Sequence, residues 1–138
     1  MYSWATAERT YEGFPLFLRH PTDIDTPQHR QSFSDLVVVT HTVAKRLPDG
    51  RPESGYNRGL EDMDVAIVRA FDSTRSGVPV LVETFGGERN YYFYVAPSTD
   101  VSTILAPITA AYSDQRVAWE VRPNDNWQLF DRYAEDFF

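Results

Sequence analysis

The chain has 138 residues, of which 42% are hydrophobic and 24% are charged, so it is long enough to bury one core and is not composed like a disordered segment. It contains no cysteine, which excludes disulfides, thiolate metal sites and a cysteine nucleophile. Its formal net charge is −7, the reverse of the balance by which free nucleic-acid or anionic-membrane binders neutralise phosphates.

The start of the chain has no basic region followed by an apolar one. No segment approaches the roughly 20 apolar residues that cross a bilayer. We therefore expect a cytoplasmic protein without a membrane anchor.

The first predicted elements are two strands around a glycine turn. Residues 4–10 and 14–19 flank Gly13, and glycine adopts the positive φ of a tight turn, so residues 1–20 are predicted to form a β-hairpin. Residues 21–34 carry two prolines and little periodicity, which predicts a loop. Residues 36–43 are largely β-branched and are predicted to be a central strand.

The middle of the chain predicts a helix and a second hairpin. After an irregular connection, apolar residues recur at helical spacing from about Leu60, and three carboxylates in the first turn suit the helix dipole. Residues 78–85 and 89–96 flank Gly86 and Gly87, a strong two-residue hairpin signal. The three carboxylates belong to Glu61, Asp62 and Asp64.

The last part of the chain predicts helix, strand and helix. Ser98 or Thr99 is expected to cap a helix whose apolar stripe runs to residue 112. Residues 117–121 alternate as a half-buried strand, and Pro123 ends it. Residues 124–138 are then expected to form a short helix.

From residue 36 onward this order is β-α-β-β-α-β, which predicts an α+β fold of the ferredoxin-like type. We predict one domain over residues 1–138, made of a hairpin extension (1–20), a ferredoxin-like core (35–122) and a C-terminal helix (124–138). The two core helices are expected on one sheet face, leaving the other face to solvent or to a binding partner.

Several motifs resemble the bacterial domain-of-unknown-function family number 695. They are the strand Gly87-Glu-Arg-Asn-Tyr-Tyr-Phe-Tyr-Val95, the capped helix after it, and the ending Arg122-Pro-Asn-Asp-Asn-Trp127. The chain departs from the family pattern at two positions. Asn124 stands where the pattern has an acidic residue, and Phe130 stands where it has a tyrosine. The resemblance implies the fold rather than a function, because the family is uncharacterised.

The predicted binding site is the sheet face without helices. If Tyr91 and Phe93 pack in the core, strand alternation places Tyr92 and Tyr94 on that face. Tyrosine and arginine are enriched at binding hot spots. The interface candidates are therefore Tyr92, Tyr94, Arg116, Glu120 and Glu83.

We predict no catalytic residue, no metal site and no cofactor. The three histidines, His20, His29 and His41, lack the spacing of a metal site, and no nucleophile motif is present. Trp119 and Trp127 are interpreted as core anchors.

Three functions remain open. The leading one is a non-enzymatic, acidic protein-binding module, such as an inhibitor or immunity-type partner of a bacterial enzyme or toxin. The second is a binding protein or enzyme for an anionic small molecule, using the open sheet face and loops that carry Arg46, Arg51 and Arg58. The third is single-stranded RNA binding by Tyr92 and Tyr94, which the net charge disfavours. The expected partner is another protein, and a homodimer is left open.

Overall fold

The computed structural model describes residues 2–138 and is α+β, with six strands and five helices over those residues. The elements, in chain order, are β1 Trp4–Tyr11, β2 Phe14–Pro21, α1 Pro27–Ser32, β3 Asp35–Thr42, α2 Ser54–Arg58, α3 Glu61–Val68, β4 Gly77–Phe85, β5 Glu88–Val95, α4 Val101–Ala111, β6 Arg116–Arg122 and α5 Gln128–Phe137.

All six strands form one antiparallel sheet in the order β1-β2-β4-β5-β3-β6. The predicted N-terminal hairpin is confirmed, and it extends the sheet because β2 pairs with β4, with Leu18 opposite Glu83. The sheet therefore has six strands rather than the four of a simple ferredoxin-like core. Its two edges are β1 and β6.

The turn between β4 and β5 follows the sequence prediction. Gly86 and Gly87 have φ of 60° and 83°, the two positive values that a type I′ hairpin turn requires. This turn sets the register in which Thr84 faces Arg89 and Val82 faces Tyr91. This register fixes which side chains of β4 and β5 share a face.

Two short helices lie in segments predicted as loops. In α1, Thr26 accepts a hydrogen bond from the His29 amide at 3.1 Å, and Pro27 stands at the first helical position, where its missing N–H costs nothing. In α2, the Tyr56 hydroxyl accepts from the Ala44 amide at 3.2 Å. The expected cap of α4 is also displaced, because Asp100 accepts from the Thr103 amide.

Helices cover both faces of the sheet, so the expectation of an open face is wrong. The helices α3 and α4 pack on the face that carries Val39 and Phe93, whereas α5 covers the face that carries Tyr92 and Tyr94. Tyr94 is fully buried and stacks on Trp127 with ring centroids 4.7 Å apart.

The chain before α5 makes this cover possible. Asn124, Asn126 and Trp127 all have positive φ, which most non-glycine residues avoid, and these turns return the chain from β6 to the sheet face. Helix α5 then presents an apolar side to the sheet, with Leu129 and Phe130 buried. Within residues 2–138, no helix is both long and apolar enough to cross a membrane.

Candidate functional site: a groove beside helix α3

Helix α3 leaves part of its own sheet face uncovered. Between α3 and strands β1, β2 and β4 lie two adjoining cavities of about 600 and 480 Å³, which share Arg19, Asp64 and Val65 in their walls. We name this region the α3 groove. Its further lining includes Trp4, Thr6, Glu8, Phe17, Asn57, Leu60, Glu61, Thr84 and Arg89.

Strand alternation and register explain why two arginines line this groove. Arg19 on β2 lies opposite Val82 on β4, and Arg89 on β5 lies opposite Thr84. Residues directly opposite one another in an antiparallel pair point to the same face. Both guanidinium groups therefore point to the face that carries α3.

Asp64 on α3 is the centre of the polar contacts in the groove. Its Oδ1 accepts a hydrogen bond from the Tyr91 hydroxyl at 2.7 Å and one from Nη2 of Arg19, and it lies 3.9 Å from Nη1 of Arg89. The side chains of Asp64 and Arg89 are only 16% and 13% exposed, so solvent screens this cluster less than a surface pair. Two guanidinium groups thus share one carboxylate.

Arg89 is held in place by neutral groups. Its Nε donates to the Thr84 hydroxyl at 3.0 Å, and its Nη2 donates to the side-chain carbonyl of Asn57 at 2.9 Å. Arg19 lies over the ring of Trp4, 5.4 Å from its centroid. Within the described part of the chain, Nε and Nη1 of Arg19 donate no hydrogen bond, so the groove retains free cationic donors.

Tyr91 acts as a donor to Asp64. Burial, together with the neighbouring Asp64 carboxylate, raises the pKa of Tyr91 well above its ordinary value. The phenol therefore keeps its proton near neutral pH. Its hydroxyl orients the carboxylate rather than exchanging a proton with a ligand.

His41 is the cross-strand neighbour of Arg89 and is fully buried. Its Nε2 lies 2.9 Å from Oε1 of Gln115, which also accepts from the Tyr56 hydroxyl at 2.7 Å. Nδ1 has no hydrogen-bond partner among residues 2–138. Burial lowers the pKa of His41, which favours the neutral ring. Because Oε1 of Gln115 can only accept, the contact assigns the ring proton to Nε2.

Two of the predicted interface residues are core residues, which corrects the prediction. Tyr92 is 7% exposed and Tyr94 is fully buried, because α5 lies on them. The Tyr94 hydroxyl donates to Asp125 at 2.6 Å and accepts from the Phe130 amide at 3.3 Å. Neither ring is available to a partner in this arrangement.

Glu83 is half-buried and is the centre of a second set of hydrogen bonds on the face under α5. Its carboxylate accepts hydrogen bonds from the Tyr133 hydroxyl, from the Asn90 amide group at 3.2 Å and, more weakly, from the Tyr92 hydroxyl at 3.4 Å. These contacts explain Glu83 as a support for α5. Burial is the largest cause of the raised pKa of Tyr133, and the hydrogen bond to Glu83 is the next.

Arg116 and Glu120 remain exposed on β6. β3 separates them from Tyr92, because Val38 faces Glu120 on one side and Tyr92 on the other. Their role in binding stays a prediction. Of the arginines in the second predicted loop, Arg51 pairs with Asp49 at 2.7 Å, outside the α3 groove.

The sequence carried one signal for the α3 groove that the predicted site did not include. Asp64 interrupts the apolar stripe formed by Leu60, Ile67 and Phe71, and a carboxylate in such a stripe needs a partner when the helix packs. The partner Arg19 lies 45 residues away along the chain. No group of three potential metal ligands is found among residues 2–138.

Comparison with curated proteins and with solved structures finds no match. A family model described as "Family of unknown function (DUF695)" matches residues 2–133, which is nearly the whole chain. The match confirms the resemblance carried by the aromatic strand β5 and by the ending that leads to Trp127. The chain therefore belongs to the family of unknown function DUF695.

Proposed function

We propose that the protein is a non-enzymatic protein-binding module and that the α3 groove receives a segment of its partner. The observation that carries this proposal is the unequal charge at the centre of the groove, where Arg19 and Arg89 share the single carboxylate of Asp64. Free guanidinium donors in a partly buried site favour a carboxylate from outside, since charge-assisted hydrogen bonds are stronger there than at a solvated surface.

The rim of the groove favours a particular kind of segment. Glu8 and Glu61 line it and are exposed, so they suit basic side chains on either side of the bound carboxylate. Val65 is 51% exposed and offers apolar contact. The partner segment is therefore expected to carry one acidic residue between basic or apolar ones. A net charge of −7 also favours a basic partner surface.

The shape of the groove favours an extended chain over an enclosed small molecule. Two adjoining cavities run along one side of α3, whereas small-molecule sites usually bury most of their ligand. A free organic anion remains the second candidate, because it would use the same donors on Arg19 and Arg89. An inhibitor or immunity-type role is supported only by the small size and the negative charge.

RNA binding through Tyr92 and Tyr94 is not proposed. Base stacking requires an exposed ring, and these rings are buried under α5. We also interpret residues 35–122 as a ferredoxin-like core, which the order β4-β5-β3-β6 supports. On this interpretation the added hairpin of β1 and β2 forms one wall of the α3 groove.

A displayed library of random peptides tests the proposal. We expect the wild-type protein to enrich peptides with one Asp or Glu flanked by basic or apolar residues. Arg19→Gln and Arg89→Gln should each weaken binding of an enriched peptide by about tenfold or more, since a hydrogen bond to a charged group contributes about 1.5–3 kcal/mol. Arg132→Gln, at an exposed position of α5, is the matched control and should bind normally.

Two outcomes would count against a peptide-binding groove. Enrichment of the same peptides by wild type and by the Arg19/Arg89 double variant would contradict the proposal. Binding of citrate or inorganic phosphate, lost in both variants and without any peptide enrichment, would favour the small-anion candidate. Circular dichroism should confirm that each variant is folded before the binding data are compared.

A further inference from the structure

Strand β6 is an unprotected edge of the sheet. It pairs with β3 on one side, and within residues 2–138 no strand pairs with its other side. None of its seven residues is buried. Such an edge offers a row of free backbone N–H and C=O groups to another strand, and proteins usually block or occupy it.

The side chains of β6 divide into a charged face and an apolar face. Arg116, Glu120 and Arg122 alternate with Val117, Trp119 and Val121, and Ala118 lies in the middle of the charged face. Val121 is 44% exposed and Trp119 is partly exposed. The strand thus carries both signs of charge at fixed spacing, next to uncovered apolar surface.

We propose that β6 pairs antiparallel with β6 of a second copy of this chain, in the register centred on Ala118. A two-fold axis perpendicular to the sheet keeps the helices of both copies on the same sides, so even-numbered residues face even-numbered ones. The pairing joins two six-stranded sheets into one and satisfies the free edge of each copy.

Charge complementarity selects this register. With Ala118 on the axis, Arg116 faces Glu120 of the second copy, and symmetry makes this ion pair twice. On the other face, Val117 meets Trp119 of the second copy, again twice. The two alanines at the axis are uncharged, so no like charges meet there. Opposite charges directly across a strand pair stabilise it, and like charges destabilise it.

The neighbouring symmetric registers lose these contacts. Centring on Trp119 would place Arg116 opposite Arg122 and Ala118 opposite Glu120. Centring on Val117 would place Arg116 opposite Ala118, and Glu120 would lie opposite residue 114, which is outside the strand and acidic. Each of these alternatives either brings like charges together or leaves Glu120 without a cation from the second copy.

The opposite edge of the sheet does not offer the same complementarity. The charged residues of β1, Glu8 and Arg9, are adjacent and therefore point to opposite faces. They cannot face each other in a symmetric pairing that keeps the helices on the same sides. Arg9 also donates to the backbone carbonyl of Phe137 at 3.0 Å, which ties this edge to the end of α5.

Charge reversal tests the pairing, with sedimentation velocity at low salt as the measurement, because salt screens exposed ion pairs. We expect the wild type to dimerise with rising concentration. Arg116→Glu and Glu120→Arg should each weaken dimerisation by about tenfold or more, since each converts two attractive pairs into two repulsive ones. An equimolar mixture of the two variants should form a heterodimer, and the double variant should dimerise like the wild type.

A cysteine variant gives a second, independent reading of the register. The chain has no native cysteine, so Ala118→Cys introduces a single thiol that lies next to its own copy across the axis. Mild oxidation should crosslink it much faster than Ala110→Cys, an exposed control on α4. A wild type that stays monomeric at all concentrations would overturn the proposal. So would a dimer insensitive to both charge reversals, or equal crosslinking of the two cysteine variants.

Discussion

The two faces of the sheet are covered in different ways. The face under α5 is closed by aromatic rings, with Trp127 stacked on Tyr94 and Tyr133 tilted against Tyr92 at 5.8 Å. The face under α3 and α4 has an equally buried centre, where Phe71 packs edge-on against Phe93 at 5.0 Å, but it opens into the α3 groove beside the N-terminal hairpin. The candidate site therefore lies where a short helix covers only part of a wide sheet, and not on the face that lacks the two core helices.

Strand β5 shows the same difference within four residues. The hydroxyls of Tyr91 and Tyr94 each donate to an aspartate, Asp64 at 2.7 Å and Asp125 at 2.6 Å, and burial raises the pKa of both tyrosines. Asp125 also accepts from the Leu129 amide at 3.2 Å, which fixes the start of α5. Asp64 instead binds arginines that line a groove. A tyrosine–aspartate pair therefore helps to close one face, whereas on the other face the aspartate of such a pair forms part of the wall of the α3 groove.

The largest expected effect is a loss of folding stability on replacing Trp127, which should exceed the loss on replacing Trp119. Trp127→Ala should lower the free energy of unfolding by about 3–5 kcal/mol, because the ring is fully buried and its loss leaves a cavity. Trp119→Ala should cost clearly less, since Trp119 lies partly exposed on the edge strand. Urea denaturation followed by circular dichroism measures both.

The indole N–H of Trp127 adds to this cost, because it donates to the backbone carbonyl of Phe33 at 2.8 Å. Trp127→Phe therefore serves as the intermediate variant and should retain part of the stability. Equal losses for Trp119→Ala and Trp127→Ala would show that the face under α5 is not the more tightly closed one.

An intermediate effect is expected for the hydroxyls of the closed face. Tyr94→Phe should cost about 1–3 kcal/mol, because it leaves the Phe130 amide without its acceptor and removes one donor to the half-buried Asp125 carboxylate. Tyr92→Phe should cost less, since its hydroxyl lies 3.4 Å from Glu83, which keeps the Tyr133 and Asn90 donors. Thermal unfolding of the two variants gives the comparison. A larger loss for Tyr92→Phe would contradict this account of the network.

The smallest expected effect is a pH dependence of folding stability caused by His41, which lies on the face under α3 and α4. Burial places the folded-state pKa of His41 below its ordinary value near 6.5. Below about pH 6.5 the unfolded chain takes up a proton that the folded chain resists, so His41 makes stability fall as pH falls through this range. Unfolding free energies at about pH 7.5 and about pH 5.5 should therefore differ less in His41→Asn than in the wild type. An unchanged difference would show that His41 does not contribute.

Local patterns predicted the elements well because they depend on near neighbours. Alternation in β5 predicted that Tyr91 and Phe93 lie on one sheet face and Tyr92 and Tyr94 on the other. The Gly86-Gly87 sequence predicted the hairpin turn. The structure confirms both predictions. The cover of the second face was missed because it depends on positive φ at Trp127, directly after Asn126, and bulky residues rarely adopt that conformation.

The α3 groove was harder to predict for a different reason. It needs β2 to pair with β4 and α3 to pack beside that pairing, so that residues far apart in sequence converge. Asp64 could be recognised as an unusual residue in an apolar stripe, but its arginine partners could not be chosen among thirteen basic residues by spacing alone. Long-range pairing, rather than local preference, creates the site.

The position of α5 after all six strands has a consequence for synthesis. Until residues 127–138 have been made, the rings of Tyr92 and Tyr94 and the neighbouring side chains of β3 have no helix to cover them. Proteins are translated at about 5–20 residues per second, and exposed apolar surface during that time favours aggregation. A nascent chain that stalls before Trp127 would thus present an aromatic sheet surface suited to chaperone binding.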